Sequence, residues 1–116
     1  MQTYKGGCHC GAVAYEATGD FSTGFKCNCS HCQRKGFLLA FIPATNFKLL
    51  SGADSLTTYL FNKKNINHQF CQVCGVESFA LGDLGDGNTT AAINLNCLED
   101  FDVKAVAVEE YDGRSA

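Results

Sequence analysis

The chain has 116 residues and a net charge of −3, with 46% apolar types and nine Phe and four Tyr. That is the size of one domain, read as spanning 1–116, with enough apolar matter to exclude a disordered chain. The mildly acidic balance excludes the basic footprint of a nucleic-acid or anionic-lipid binder. The longest apolar run, Phe37 to Ile42, is far below the roughly 20 residues that span a membrane. Met1 to Lys5 carries no apolar signal core, which points to the cytoplasm.

Taken in chain order, short strand-like runs alternate with turn residues. Ala12 to Ala17 alternates, with Val13, Tyr15 and Ala17 on one face. The best helical stretch is one or two turns, from Ser30 as N-cap to about Lys35, with Gly36 suited to the C′ position. Phe37 to Ile42 reads as a strand buried on both faces and stopped by Pro43. Phe47 to Leu50 ends at Ser51-Gly52. Leu56 to Phe61 and Ile66 to Phe70 flank Asn62-Lys63-Lys64-Asn65, a hairpin turn. Ser78 to Leu81 and Thr90 to Leu95 flank the Gly-rich stretch Gly82 to Asn88, and Val103 to Val108 reads as a last strand. No stretch sustains helical periodicity over three turns. The class is therefore mainly β, short strands held around metal sites.

Eight cysteines are the unusual feature, and seven fall into three groups: Cys8-x-Cys10, Cys27-x-Cys29-x-x-Cys32 and Cys71-x-x-Cys74. Disulfides need an oxidising compartment, and tight spacing favours metal. Zinc in a closed site takes four ligands. Two plus two gives four, so Cys8, Cys10, Cys71 and Cys74 share one structural zinc, tying the chain start to a loop some sixty residues later. Cys27, Cys29 and Cys32 remain. A zinc with three protein ligands keeps a position for water or substrate, the pattern of a catalytic site. Cys32 lies in the first turn of the short helix, where free N–H groups favour a thiolate.

Cys97, His31 or His68 could instead complete the second tetrahedron and make both sites structural. His31 lies between two ligands and is expected to point elsewhere. His68 shares a strand face with Ile66 and Phe70 and reads as a packed or hydrogen-bonded histidine. Cys97 follows Ala91, Ile93 and Leu95 at period two and reads as a core residue. His9 reads as solvent-facing, or as supporting a ligand through a hydrogen bond. Gly82-x-x-Gly85-x-Gly87 is acidic and no helix follows, so it is a solvated loop rather than a phosphate cradle. Asp83 and Asp86 within it are weak calcium candidates. Arg34 and Lys35 form a small basic group beside the open-site cysteines. They read either as a solvated helix end or as a grip for an anionic substrate.

These motifs, in this order, resemble the glutathione-dependent formaldehyde-activating enzyme (GFA) family, which includes centromere protein V. Gly7-Cys8-His9-Cys10-Gly11-Ala12-Val13 resembles its opening motif. Cys27-Asn28-Cys29-Ser30-His31-Cys32-Gln33-Arg34-Lys35-Gly36 resembles its central motif, and Phe70-Cys71-Gln72-Val73-Cys74-Gly75 its third. Asn94-Leu95-Asn96-Cys97-Leu98 is similar to its late Asn-x-x-Cys-Leu segment. The likeness covers about residues 4 to 103. Gln33 departs from it, standing where many members carry a basic residue.

The resemblance implies an Mss4-like fold of short β-sheets organised around zinc. It implies two zinc ions per chain, structural at Cys8, Cys10, Cys71 and Cys74 and catalytic at Cys27, Cys29 and Cys32. It also implies carbon–sulfur lyase chemistry, the reversible joining of glutathione and formaldehyde into S-hydroxymethylglutathione. The partners are then a small thiol and an aldehyde, with Arg34 and Lys35 as candidates to hold a substrate carboxylate. The contrasting reading is a non-catalytic zinc-stabilised module that binds a protein or a small thiol. A redox role, as in methionine-R-sulfoxide reductases of the same superfold, is disfavoured because only Cys97 is spare.

Overall fold

Strand pairing starts from one fully buried stripe. In the computed structural model, which describes residues 1–60, 66–83 and 88–112, Val13, Tyr15 and Ala17 are each at most 1% exposed, as their alternation predicts. The elements follow in chain order as β1 (Gln2–Gly7), β2 (Ala14–Gly19), β3 (Thr23–Cys27), α1 (Ser30–Lys35) and β4 (Leu39–Pro43). Then come β5 (Phe47–Ser51), β6 (Leu56–Tyr59), β7 (Ile66–Cys71), β8 (Phe79–Asp83), β9 (Thr89–Asn94) and β10 (Ala107–Tyr111). Short 3₁₀ turns, among them Leu95–Cys97 and Val103–Ala105, link some of them. The class is mainly β, as read from the sequence. No helix among the described residues is long and apolar enough to cross a membrane.

β1, β2 and β5 form a three-stranded antiparallel sheet. The other seven strands form a second sheet in the order β10-β3-β4-β9-β8-β7-β6, antiparallel except for the parallel pair β10–β3. One apolar cluster joins the two sheets. Tyr15 and Phe47 of the small sheet meet Phe79 of the large one, with ring centroids 4.7–5.7 Å apart, in the tilted and edge-on arrangements aromatic rings favour. The buried Tyr15 hydroxyl donates to the Ser78 carbonyl at 3.1 Å, so burying its polar tip leaves no donor unmet.

Several expectations need correcting. β4 is not buried on both faces: Ala40 and Ile42 point into the core, while Phe41 is 46% exposed and packs on Phe25 of the neighbouring strand. An apolar run does not reveal that one face lies on the outside of a sheet. Pro43 is the last residue of β4 rather than a stop before it, which its missing N–H permits at a strand end. The last strand starts later than expected. Asp102 caps a 3₁₀ turn by accepting from the Lys104 N–H at 3.0 Å, and the chain then pairs with β3 from Ala107 onward. β1 and β3 carry too little alternation to be read from the sequence; their pairing partners define them. β6 and β7 pair antiparallel, as the expected hairpin requires, and β8 pairs antiparallel with β9. The turn Asn62 to Asn65, and Gly85, Asp86 and Gly87 of the acidic loop, lie outside the described residues.

The turn after β1 is closed by backbone contact. Cys8 N–H donates to the Val13 carbonyl at 3.1 Å, and a Cβ on Gly7 would lie 2.2 Å from that same oxygen. Gly7→Ala is therefore expected to destabilise by about 2 kcal/mol, as overpacking against backbone does. That corresponds to a drop of about 8 °C in Tm. Gly11→Ala, at φ +86° but with open space around its Cβ, should cost only about 1 kcal/mol. Thermal unfolding of the two variants checks the order.

Candidate metal centres

Cys8 and Cys10 follow β1, and Cys71 closes β7 just before the turn that carries Cys74. This turn is set by Gly75 N–H donating to the Cys71 carbonyl at 2.7 Å, with Gly75 at φ +80°. The four sulfurs lie within 4.8 Å of one another. Cys10 Sγ is 3.6 Å from both Cys8 Sγ and Cys71 Sγ. A tetrahedral zinc with bonds of about 2.3 Å has ligand–ligand edges of about 3.8 Å. The spacing fits one metal ion and is far too long for a disulfide. Val13 N–H points at Cys8 Sγ (3.3 Å) and Val73 N–H at Cys71 Sγ (3.4 Å), donors that favour the thiolate.

The second set is built on the β3–α1 junction. Cys27 ends β3, Cys29 caps the helix and Cys32 lies in its first turn. The cap is Cys29, not Ser30 as the sequence suggested: its Sγ accepts the Cys32 N–H at 3.3 Å, doing with sulfur what a cap oxygen does elsewhere. Cys29 N–H in turn points at Cys27 Sγ at 3.5 Å. Gly36 closes the helix at φ +69° and donates to the Cys32 carbonyl at 3.0 Å, as expected. The three sulfurs again lie within 4.8 Å of one another and can hold a metal ion.

Crowding splits the acidities within each set. Burial raises Cys8, but the Val13 N–H and neighbouring thiols bring it below its ordinary value. The Val76 and Cys10 N–H groups lower Cys74 to about 6, while Cys10 rises to about 11: the Ala12 N–H lowers it, but burial and the adjacent thiols outweigh that. In the second set burial works against Cys29, yet the Cys32 N–H and neighbouring thiols lower it. Burial and the charge of Cys29 and Cys27 push Cys32 well up. Ionising one thiol thus opposes ionising the next, and a shared divalent cation removes that opposition.

Cys97 differs from its expected place. It ends the Leu95–Cys97 turn, is half-buried and stands outside the core cluster. Burial, then the charge of Cys8 and Cys74, raise its thiol to about 11, which places it beside the four-cysteine set. It does not complete the three-cysteine one. Period two fails here because β9 stops at Asn94, whose side chain accepts the Asn96 N–H and turns the chain. His9 is exposed, as expected.

His31 and His68 also leave the three-cysteine set alone, as expected, and meet a residue the sequence did not single out. His68 Nδ1 is 3.2 Å from Glu77 Oε2, His31 Nε2 is 3.5 Å from Glu77 Oε1, and Lys35 Nζ is 3.7 Å from that same Oε1. The Glu77 side chain is 2% exposed. The imidazoles are 4.3 Å apart, centroid to centroid, and His31 stacks on Tyr59. Burial pulls His31 below its ordinary pKa despite the facing carboxylate. Ser30, His31, Arg34 and Lys35, all on α1, line a cleft of about 480 Å³ with Tyr59, Phe70 and Glu77. Arg34 donates to the Ser30 carbonyl at 2.9 Å, and Lys35 lies over the Phe70 ring. A second surface hollow, around Leu49 to Ser55, holds none of these groups.

The sequence model of the glutathione-dependent formaldehyde-activating enzyme family matches residues 3–112, and the chain belongs to that family. Its two sheets and cysteine sets are consistent with an Mss4-like fold. A crystal structure of a Rhodobacter sphaeroides protein from a structural genomics programme is similar. It superimposes with a TM-score of 0.79 at 29% identity, covering 90% of this chain and 99% of that one.

All eight cysteines are free. Thiol titration of denatured, chelator-treated chain without reductant is expected to return eight thiols; a count of four or fewer would replace the metal reading with disulfides.

Proposed function

We propose that this family member is a zinc-dependent carbon–sulfur lyase-type enzyme working on a thiol adduct such as S-hydroxymethylglutathione. The observation that carries this reading is the division of the clustered cysteines into a set of four and a set of three. Four thiolates close a tetrahedron, so Cys8, Cys10, Cys71 and Cys74 hold a structural zinc. Cys27, Cys29 and Cys32 hold the catalytic one. When bound there, zinc supplies a remaining coordination position that keeps a substrate thiol ionised near neutral pH.

The chain's own residues do the rest. In the synthetic direction a sulfur–carbon bond forms as the formaldehyde C=O becomes a C–OH, and the thiol proton ends on that oxygen. No oxidant is needed, in keeping with a protein whose thiols stay reduced in the cytoplasm. α1 contributes Cys32 to the metal set and Arg34 and Lys35 to the adjacent cleft. We assign these two cations to the carboxylates of a glutathione-like thiol, with Arg34 able to grip in bidentate fashion. Lys35 also faces Glu77, so Arg34 is the stronger of the two. Tyr59 and Phe70 give the cleft apolar walls.

Cys32→Ala should release the zinc of the three-cysteine set and abolish aldehyde–thiol turnover while leaving the far-UV spectrum and the zinc of the four-cysteine set in place. Full activity after that loss would overturn the mechanism. Arg34→Ala should raise KM for the thiol about tenfold with little change in kcat, the mark of lost ground-state binding. In cobalt-substituted protein, glutathione should shift one of two sets of thiolate bands. If neither set shifts, the closed binding-module reading takes over.

A further inference from the structure

We infer that His31, His68 and Glu77 form a third metal site, one that takes a divalent first-row transition cation of nitrogen–oxygen preference such as Zn²⁺. This inference is independent of the reaction proposed above and concerns residues outside both cysteine sets.

Three observations carry it. First, two imidazoles and one carboxylate converge from three parts of the fold, α1, β7 and the segment before β8, with a ligand atom of each within 4.8 Å of the others. Two His and one carboxylate make a recurrent metal-binding set with open positions. Second, the spacing fits. Bonds of about 2.05 Å in a tetrahedron give edges of about 3.3 Å. His68 Nδ1 lies 3.2 Å from Oε2, within hydrogen-bond reach, and His31 Nε2 lies 3.5 Å from Oε1, so each imidazole stands near that edge length from one carboxylate oxygen. Third, Glu77 Oε1 is buried and accepts no hydrogen bond, its charged neighbours His31 Nε2 and Lys35 Nζ standing off at 3.5 and 3.7 Å, a costly arrangement for a buried carboxylate oxygen. A cation between the rings and the carboxylate gives that oxygen a partner.

Glu77 is held in place from behind, as a ligand must be. Asn94 Nδ2 donates to the Glu77 carbonyl at 3.2 Å. Asn94 N–H and the Tyr15 hydroxyl both donate to the Ser78 carbonyl. These bonds fix the backbone from which the Glu77 side chain projects. Lys35 competes for Oε1, but its side chain is 38% exposed and can swing to water on its flexible stem. The remaining coordination positions would belong to the cleft lined by Ser30, Arg34 and Tyr59.

The test is metal stoichiometry on the full chain. Zinc-saturated wild-type protein, freed of excess metal by gel filtration, should carry one equivalent beyond the two that the cysteine sets take. In a cobalt titration that extra equivalent should add ligand-field bands with no added thiolate-to-cobalt charge transfer. Glu77→Gln and His68→Gln should each weaken it by about a hundredfold or more while the charge-transfer bands stay. Cys27→Ser should keep the nitrogen–oxygen bands while losing one thiolate set, so failure of the three-cysteine site and failure of this one are distinguishable. Saturation of the wild type at two equivalents would overturn the inference. So would retention of the extra ion by a folded Glu77→Gln. If either variant fails to fold, the wild-type count and the other variant still decide.

Discussion

Sulfur crowding is the constraint on which the rest of the structure depends. Cys10 and Cys71 are 61 positions apart in the chain, yet their sulfurs approach to 3.6 Å without bonding. Closing a loop of that length costs an unbridged chain about 4 kcal/mol of entropy by the estimate used for cross-links. A metal ion shared by two segments offsets that cost and also neutralises thiolates that would otherwise repel. Such an ion would join the end of β1, in the small sheet, to the end of β7, in the large one, and so tie together the two sheets whose core Tyr15, Phe47 and Phe79 fill.

The second set serves a different geometry. Its three sulfurs come from a stretch of six residues, so it closes no long loop and adds little to the fold through chain entropy. What it does fix is α1. A six-residue helix is too short to be stable alone in water, and here its first turn is organised by sulfur, Cys29 accepting from Cys32 N–H. Its last turn ends on a left-handed glycine. Placing this helix aims Arg34 and Lys35 at the cleft and His31 at Glu77. The local cysteine motif therefore orients everything else that the helix carries.

How much of this was legible follows from the range of each interaction. The cysteine partition was readable, because ligand counting needs only valence and spacing, and the folded chain groups the sulfurs in those same sets. The core stripe Val13, Tyr15 and Ala17 was readable from period two. β1 and β3 were not, because their residues lack alternation and their strand state comes from neighbours brought by the fold. Cys97 was misplaced because β9 ends at Asn94, three residues before it, where the Asn96 N–H donates to the Asn94 side chain and turns the chain. Phe41 was misread because an apolar residue on the outer face of a sheet looks the same in sequence as one on the inner face.

Glu77 shows the deeper reason. Nothing near it in the sequence marks it: it follows a glycine turn and precedes an apolar strand, where a carboxylate reads as a solvated loop residue. Its meaning comes from three non-local facts. β7 pairs with β8, which sets His68 opposite Ala80 and so near the segment leading into that strand. The β9 residue Asn94 ties the Glu77 carbonyl down, and the side chain above it is 2% exposed. The cysteine-capped helix then brings His31 and Lys35 over it. Strand pairing and the cysteine-capped helix thus assemble the buried carboxylate and its two imidazoles together. A sequence reveals a metal site when the ligands lie close along the chain. Where the fold alone assembles them, only the geometry does.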